Sequence, residues 1–215
     1  MRSIRSLLLG STALLAACAA GGVARVVQCG STVVYGPPDL YPPGRVDEAA
    51  VPAPRSAYGL TKLMAEQAAR WAADALALDV VTLRLPLVLG PGRWYTGAAG
   101  AYARMLRAAA EGGALREEVP AATFDIVHGD DAAEALLLLA GLRGPPRLLN
   151  MAGLTVSFPE IAAALSPRIQ AVPAATPPVL PLVEDAALRA LGWAPRRSLR
   201  DILDGTLAEI REKGS

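Results

Sequence analysis

The chain has 215 residues, 53% apolar and 19% charged, with 21 basic against 20 acidic side chains and a net charge of +1. That balance excludes nucleic-acid binding through bulk positive charge. Two cysteines, Cys18 and Cys29, cannot build a disulfide framework or a Cys-rich zinc site, and a single histidine, His128, excludes a multi-histidine metal site and any Ser-His-Asp triad in which it is not the base.

Residues 1–22 admit two readings. Arg2 and Arg5 ahead of an apolar stretch have the layout of an export signal, and Leu15-Ala16-Ala17-Cys18 has the form of a lipobox, which would make an exported lipoprotein anchored at Cys18. An amphipathic helix with Leu8, Thr12, Leu15 and Ala19 near one face competes with it. The helix is the better expectation. Gly21-Gly22 leads almost at once into an apolar strand, as in the αβ half of a parallel α/β unit, with no polar tether between.

A strand is expected over 26–34, interrupted at Gly30-Ser31, then a long Pro- and Gly-rich loop over 36–57. Ser56 is the expected N-cap of a helix over 57–78. A buried strand over 80–85 is closed by Pro86 and by Gly90-Pro91-Gly92. Helix 98–110, strand 124–128, helix 130–142 with Asp130 as N-cap, strand 147–151 and helix 158–165 after Ser157 follow. Residues 172–182 read as a surface connection, and helices over 184–191 and 199–212 end the chain. The alternation predicts an α/β fold with a parallel sheet covered by helices. Beyond the first segment no apolar run reaches membrane-spanning length; Leu136–Leu142 is too short.

Two constellations carry chemistry. Tyr58 and Lys62 lie four apart, one turn removed on the same helix face. An ammonium beside a phenol favours the phenolate, so the pair can act as general base and acid; the same spacing also occurs on ordinary amphipathic helices. Cys29-Gly30-Ser31-Thr32-Val33-Val34-Tyr35-Gly36 places small hydroxyl residues at the carboxyl edge of a strand, where open α/β sheets bind ligands. There Ser31 either contacts a substrate oxygen or satisfies a local turn.

Six ordered segments resemble the extended short-chain dehydrogenase/reductase family, the branch of NAD-dependent epimerases and dehydratases. They are Gly21–Val27, Ser31 through Tyr35-Gly36, Ser56–Lys62, Leu83-Arg84-Leu85-Pro86 with Gly90-Pro91-Gly92, Phe124–Asp131, and Leu191–Pro195 with Ser198-Leu199. The resemblance implies a partial Rossmann-like doubly wound sheet over 1–95 and a small C-terminal α/β substrate lobe over 96–215. It implies Tyr58 as the acid/base, Lys62 as the holder of the nicotinamide ribose and the group that lowers the Tyr58 pKa, and Ser31 as the residue that orients the reacting oxygen. Tyr58 would also contact the cofactor, Leu85, Pro86 and Val88 would line the nicotinamide, and Thr32 and Arg93 would bind substrate. The cofactor implied is NAD or NADP, the substrate a sugar or nucleotide-sugar hydroxyl, and the compartment the cytoplasm.

The chain also departs from that pattern. The family's Gly-x-x-Gly-x-x-Gly turn, which approaches the cofactor pyrophosphate, is not among these residues, nor is the acidic residue that would hold the adenosine ribose. The first βαβ units are therefore expected to be missing, which leaves an open sheet edge. A homodimer, or pairing with a missing N-terminal half, would close it; a relative that no longer binds cofactor is the alternative. Leu7, Leu87, Leu89 and Phe124 stand where the family often carries Asn, Asn, Tyr and Arg. His128 is expected to be structural, Cys29 a buried thiol, and Trp71, Trp94 and Trp193 packing residues.

Overall fold

A computed structural model describes residues 4–92, 100–175 and 180–214, with side chains for 10–92, 100–175 and 180–212. In chain order the elements are α1 (Ile4–Ala20), β1 (Val26–Ser31), α2 (Ala57–Ala75), β2 (Val80–Leu85), β3 (Leu87–Leu89), α3 (Gly100–Ala110), β4 (Leu115–Pro120), β5 (Thr123–His128), α4 (Gly129–Gly141), β6 (Leu148–Asn150), β7 (Leu154–Ser157), α5 (Phe158–Leu165), β8 (Ile169–Ala174), α6 (Ala186–Ala190) and α7 (Leu199–Gly214). They form two compact units: Met1–Pro86 with Ala132–Ala152 and Val179–Ala194, and Leu87–Asp131 with Gly153–Pro178 and Pro195–Ser215. Among the described residues no helix is long and apolar enough to cross a membrane.

The first unit is built on a fully parallel sheet of order β1-β2-β6. Val26 pairs with Val80 and Ser31 with Leu85, so the two long strands end together. Residues 4–20 are helical. Leu15 is buried among Ala68, Ala69, Ala72, Leu78 and Val80, which packs α1 on α2 and on the sheet. Gly22 closes α1 at φ +69, and the Val23 amide donates back to the Cys18 carbonyl, a six-to-one C-cap that a residue with a Cβ adopts only under strain. Arg25 donates to Asp79 at 2.8 and 2.6 Å and to the Leu139 carbonyl at 2.9 Å, tying β1, the β2 entry and α4.

Helix α2 stops at Ala75, three residues short of the expected end. The Leu76 and Leu78 amides both donate to the Ala72 carbonyl, and Ala77 takes φ 51. Nothing in the sequence announces this stop, because the left-handed position carries alanine where glycine is usual.

The second unit holds a sheet of order β3-β5-β7 and a two-stranded parallel ribbon of β4 and β8. Strand β5 runs parallel to β3 and antiparallel to β7. Its core gathers Leu89, Tyr102, Met105, Leu106, Ile126, Phe158, Ile161, Ile202 and Leu203 from strands and from α3, α5 and α7. Ser157 and Glu160 form a capping box at the start of α5. Ser198 and Asp201 repeat that exchange at α7.

Several expectations need correction. Residues 169–174 are strand β8, so the expected connection over 172–182 begins later than anticipated. Strands β3, β4 and β7 were not expected at all. β4 reads LREEVP, a charged sequence with one fully buried residue, because a two-stranded ribbon presents much of itself to solvent. Asp130 is not the cap of α4: the helix starts at Gly129, and the His128 Nδ1 accepts from the Asp130 amide at 3.0 Å. Cys29 is exposed rather than buried. Its neighbour Gly30 faces α2, where an added Cβ would meet Thr82 and Glu66, so strand alternation turns Cys29 to the opposite face. The packing role expected of Trp94 lies outside the described residues; Trp193 is buried and Trp71 is half exposed.

Candidate active site at the carboxyl end of the parallel sheet

Strand β1 gives way to a 3-10 turn over Thr32–Val34, and Ser31 caps that turn by accepting from the Val33 amide at 3.3 Å. This uses one lone pair of the hydroxyl and leaves its proton to donate. Ser31 is 7% exposed, and Thr32 beside it equally so. The local-turn reading of Ser31 is therefore what the structure shows, and its hydroxyl proton is left over from that contact.

Helix α2 begins against this turn. Ser56 caps it, accepting from the Gly59 amide at 3.0 Å. Gly59 has no room for a side chain, since a Cβ there would lie 2.4 Å from the Val33 carbonyl oxygen. That close approach brings the first turn of α2, with Tyr58, to the end of β1. Tyr58 is 54% exposed, and its hydroxyl makes no hydrogen bond among the described residues. One turn on, the Lys62 Nζ stands 5.7 Å from the Tyr58 ring centroid and donates to the Cys29 carbonyl at 3.0 Å. In a parallel ladder the residues adjoining Cys29, not Cys29 itself, bond to β2, so Lys62 satisfies a carbonyl on the outer edge of the sheet and keeps further protons uncommitted.

Ser31, Thr32, Tyr58 and Lys62 are thus gathered at one end of the first unit, with Leu85 paired to Ser31 across the ladder. Pro86, at the end of that strand, is buried; Val88 lies half-buried on β3, in the second unit. Arg93 lies outside the described residues. Among the described residues there is no His, Cys, Asp and Glu cluster able to hold a metal ion. A phenol next to an ammonium, at the carboxyl edge of a parallel sheet, is a donor and acceptor set that suits a ribose bearing two hydroxyls. The residues fit the nicotinamide-ribose end of a dinucleotide, while the glycine-rich turn for the pyrophosphate is not among these 215 residues.

The sequence reading missed what lies beneath. Arg84 of β2 is 2% exposed and grips Glu66 of α2 through two hydrogen bonds, 2.9 and 2.7 Å, while a third donor reaches the Tyr35 hydroxyl at 2.7 Å. Burial opposes the Arg84 charge, but the hydrogen bonds and charge of Glu66 more than offset it and hold the guanidinium above its ordinary range. Burial pushes the Tyr35 phenol up despite the neighbouring Arg84 charge. A single arginine inside the apolar run VVTLRL was the available signal, because a buried charge needs a partner.

Residues 2–152 match the family model described as NAD dependent epimerase/dehydratase family. The chain belongs to this family. Among curated relatives it is 34% identical over 223 residues to a UDP-glucose 4-epimerase of Azospirillum brasilense, covering 91% of this chain and 62% of the relative. It is 31% identical over 194 residues to a dTDP-6-deoxy-L-talose 4-dehydrogenase (NAD(P)(+)) of Kitasatospora kifunensis, covering 83% and 60%. The chain therefore spans about three fifths of the length of these relatives. Of the solved structures, MoeE5 in complex with UDP-glucuronic acid and NAD superposes with a TM-score of 0.74 at 29% identity, over 95% of this chain and 71% of that one. A Thermus thermophilus UDP-glucose 4-epimerase in complex with NAD gives 0.79 at 24% identity, over 95% and 70%. These superpositions bear out the Rossmann-like α/β expectation.

Proposed function

We propose that this chain carries the proton-handling part of an NAD(P)-dependent epimerase, dehydratase or reductase acting on a sugar hydroxyl, a nucleotide sugar being the favoured substrate class. The observation that supports it is the Lys62 ammonium, set between the Tyr58 ring and the Cys29 carbonyl at the end of the strand that bears Ser31. In this reading the Tyr58 oxygen takes the proton of the substrate hydroxyl as the carbinol is oxidised and returns it on reduction. The Ser31 hydroxyl donates to the same substrate oxygen and fixes its direction. Lys62 donates to the hydroxyls of the nicotinamide ribose. When bound, the cofactor supplies the hydride acceptor and donor. Leu85, Pro86 and Val88 line the nicotinamide, and Thr32 and Arg93 contact substrate.

The glycine-rich turn that would meet the pyrophosphate end of the cofactor is not among these 215 residues. The outer edge of β1, unpaired among the described residues, is where a missing N-terminal half or a partner chain would add its strands. Leu14, Leu60 and Trp71, exposed along α1 and α2, support a second copy of the chain as a further partner. We place the protein in the cytoplasm with its cofactor.

Calorimetric titration with NAD+ and NADP+ tests the reading. Binding of either is expected, and Lys62→Ala should weaken it at least about tenfold, since a hydrogen bond from a charged donor contributes about 1.5–3 kcal/mol. Absence of heat with both nucleotides removes the catalytic reading for this chain and leaves that of a relative that no longer binds cofactor.

A further inference from the structure

Tyr58, Lys62 and Glu66 follow one side of α2 at four-residue intervals. The first two reach the candidate site and the third turns inward. The other buried residues of α2 are Gly59, Thr61, Ala68, Ala69, Ala72 and Ala73. These are small side chains, which reach only a short way from the helix. Glu66 is the one long side chain of α2 that is buried, 7% exposed, and both its carboxylate oxygens are held by the Arg84 fork. A bidentate guanidinium–carboxylate pair fixes distance and plane together. Gly30 makes the space for it, because a Cβ there would stand 3.3 Å from the Glu66 Oε1.

The remaining reach of Arg84 extends to the serine segment. Its Nη1 donates to the Tyr35 hydroxyl, four residues after Ser31, and that oxygen lies 3.0 Å from the Asn150 Oδ1 and 2.9 Å from the Asp47 carbonyl. Arg84 itself adjoins Leu85, the register partner of Ser31. One guanidinium, carried by β2, therefore links the helix that bears Tyr58 and Lys62 to the segment that follows Ser31.

We propose that Arg84 is a positioning residue: through Glu66 it sets the rotation of α2 and so aims Lys62 and Tyr58 at the end of β1, while through Tyr35 it anchors the turn after Ser31. The consequence for catalysis rests on the function proposed above; the geometry does not.

Lys62 and Lys213 are the only lysines of the chain, which gives a direct readout. Reductive dimethylation with 13C-formaldehyde keeps the ammonium charge and one N–H, and the two lysine signals are assigned with Lys62→Arg and Lys213→Arg. The Lys62 signal should carry a ring-current shift from Tyr58 that disappears in Tyr58→Ala. In the apolar pair Glu66→Leu/Arg84→Met, folded by circular dichroism, it should move toward the Tyr58→Ala position, because a rotated α2 takes the Lys62 Nζ off the Cys29 carbonyl that holds it beside the Tyr58 ring. An unchanged Lys62 signal in that folded variant overturns the proposal, because lower stability alone leaves the folded-state signal in place. Should the pair fail to fold, Glu66→Gln is read instead with the same two outcomes. NAD+ titration separates the two readings. Protein that binds no NAD+ yet loses the Lys62 shift in the variant counts against the proposed function and for the positioning role.

Discussion

Removing Arg84 alone should be among the most damaging single changes in the first unit. In Arg84→Met the Glu66 carboxylate stays buried, 7% exposed, with its guanidinium partner gone and the Tyr35 hydroxyl short of its donor. Breaking a buried ion pair by deleting one partner costs about 3–5 kcal/mol, whereas replacing both members by well-packed apolar groups is often neutral or gains about 1–4 kcal/mol. The two effects have opposite signs, so the pair of variants discriminates where either alone does not. Urea unfolding followed at the fluorescence of buried Trp193 measures both. With a slope of about 2 kcal/mol/M, the single variant should lose about 1.5–2.5 M in midpoint. Glu66→Leu/Arg84→Met should stay within about 0.5 M of the parent or exceed it. A single variant that loses less than about 0.5 M, or a double variant as unstable as the single, refutes the reasoning that the cost lies in an orphaned charge.

Further expectations follow from local geometry. Ala77→Gly should raise stability by about 0.5–1 kcal/mol in the same urea assay, because a left-handed non-glycine residue is strained by about 1–2 kcal/mol and glycine returns part of that gain as chain entropy. Gly59→Ala should lower it by about 1–3 kcal/mol, since the new methyl meets the Val33 carbonyl at 2.4 Å. Hydrogen bonds from Ser157 and Ser198 hold the Glu160 and Asp201 carboxyls below their ordinary range. Groups lowered on folding stabilise above their unfolded pKa and lose that contribution as pH falls, so Tm should drop through the acid range, and drop less in Ser157→Ala and Ser198→Ala. The raised Tyr35 phenol works at the other end: its contribution is whole below its unfolded pKa of about 10 and lost as pH climbs above it, a loss that Tyr35→Phe should abolish.

The sequence was most legible where pattern and punctuation agreed. The run at 80–85, closed by Pro86, and Ser56 ahead of a periodic segment gave β2 and the start of α2, and the Tyr58–Lys62 spacing gave the pair seen side by side. It was least legible where tertiary pairing overrides local preference. Charged β4 is held by β8, Pro173 sits inside a strand, and the turn just past α2 places Ala77 in a conformation expected of glycine. Arg84, Glu66 and Tyr35 were unreadable as a network because their meeting depends on three chain segments that come together only in the folded sheet.

The most direct test of the site is hydride transfer followed at 340 nm in a single turnover with NAD+ and a nucleotide-hexose such as UDP-glucose, comparing the parent chain with Tyr58→Phe. Removal of a positioned acid/base should slow the step about 10²–10⁴-fold, read at saturating NAD+, while leaving the circular dichroism spectrum in place. A Tyr58→Phe protein that reduces NAD+ as fast as the parent would contradict the assignment of the proton to the oxygen at position 58.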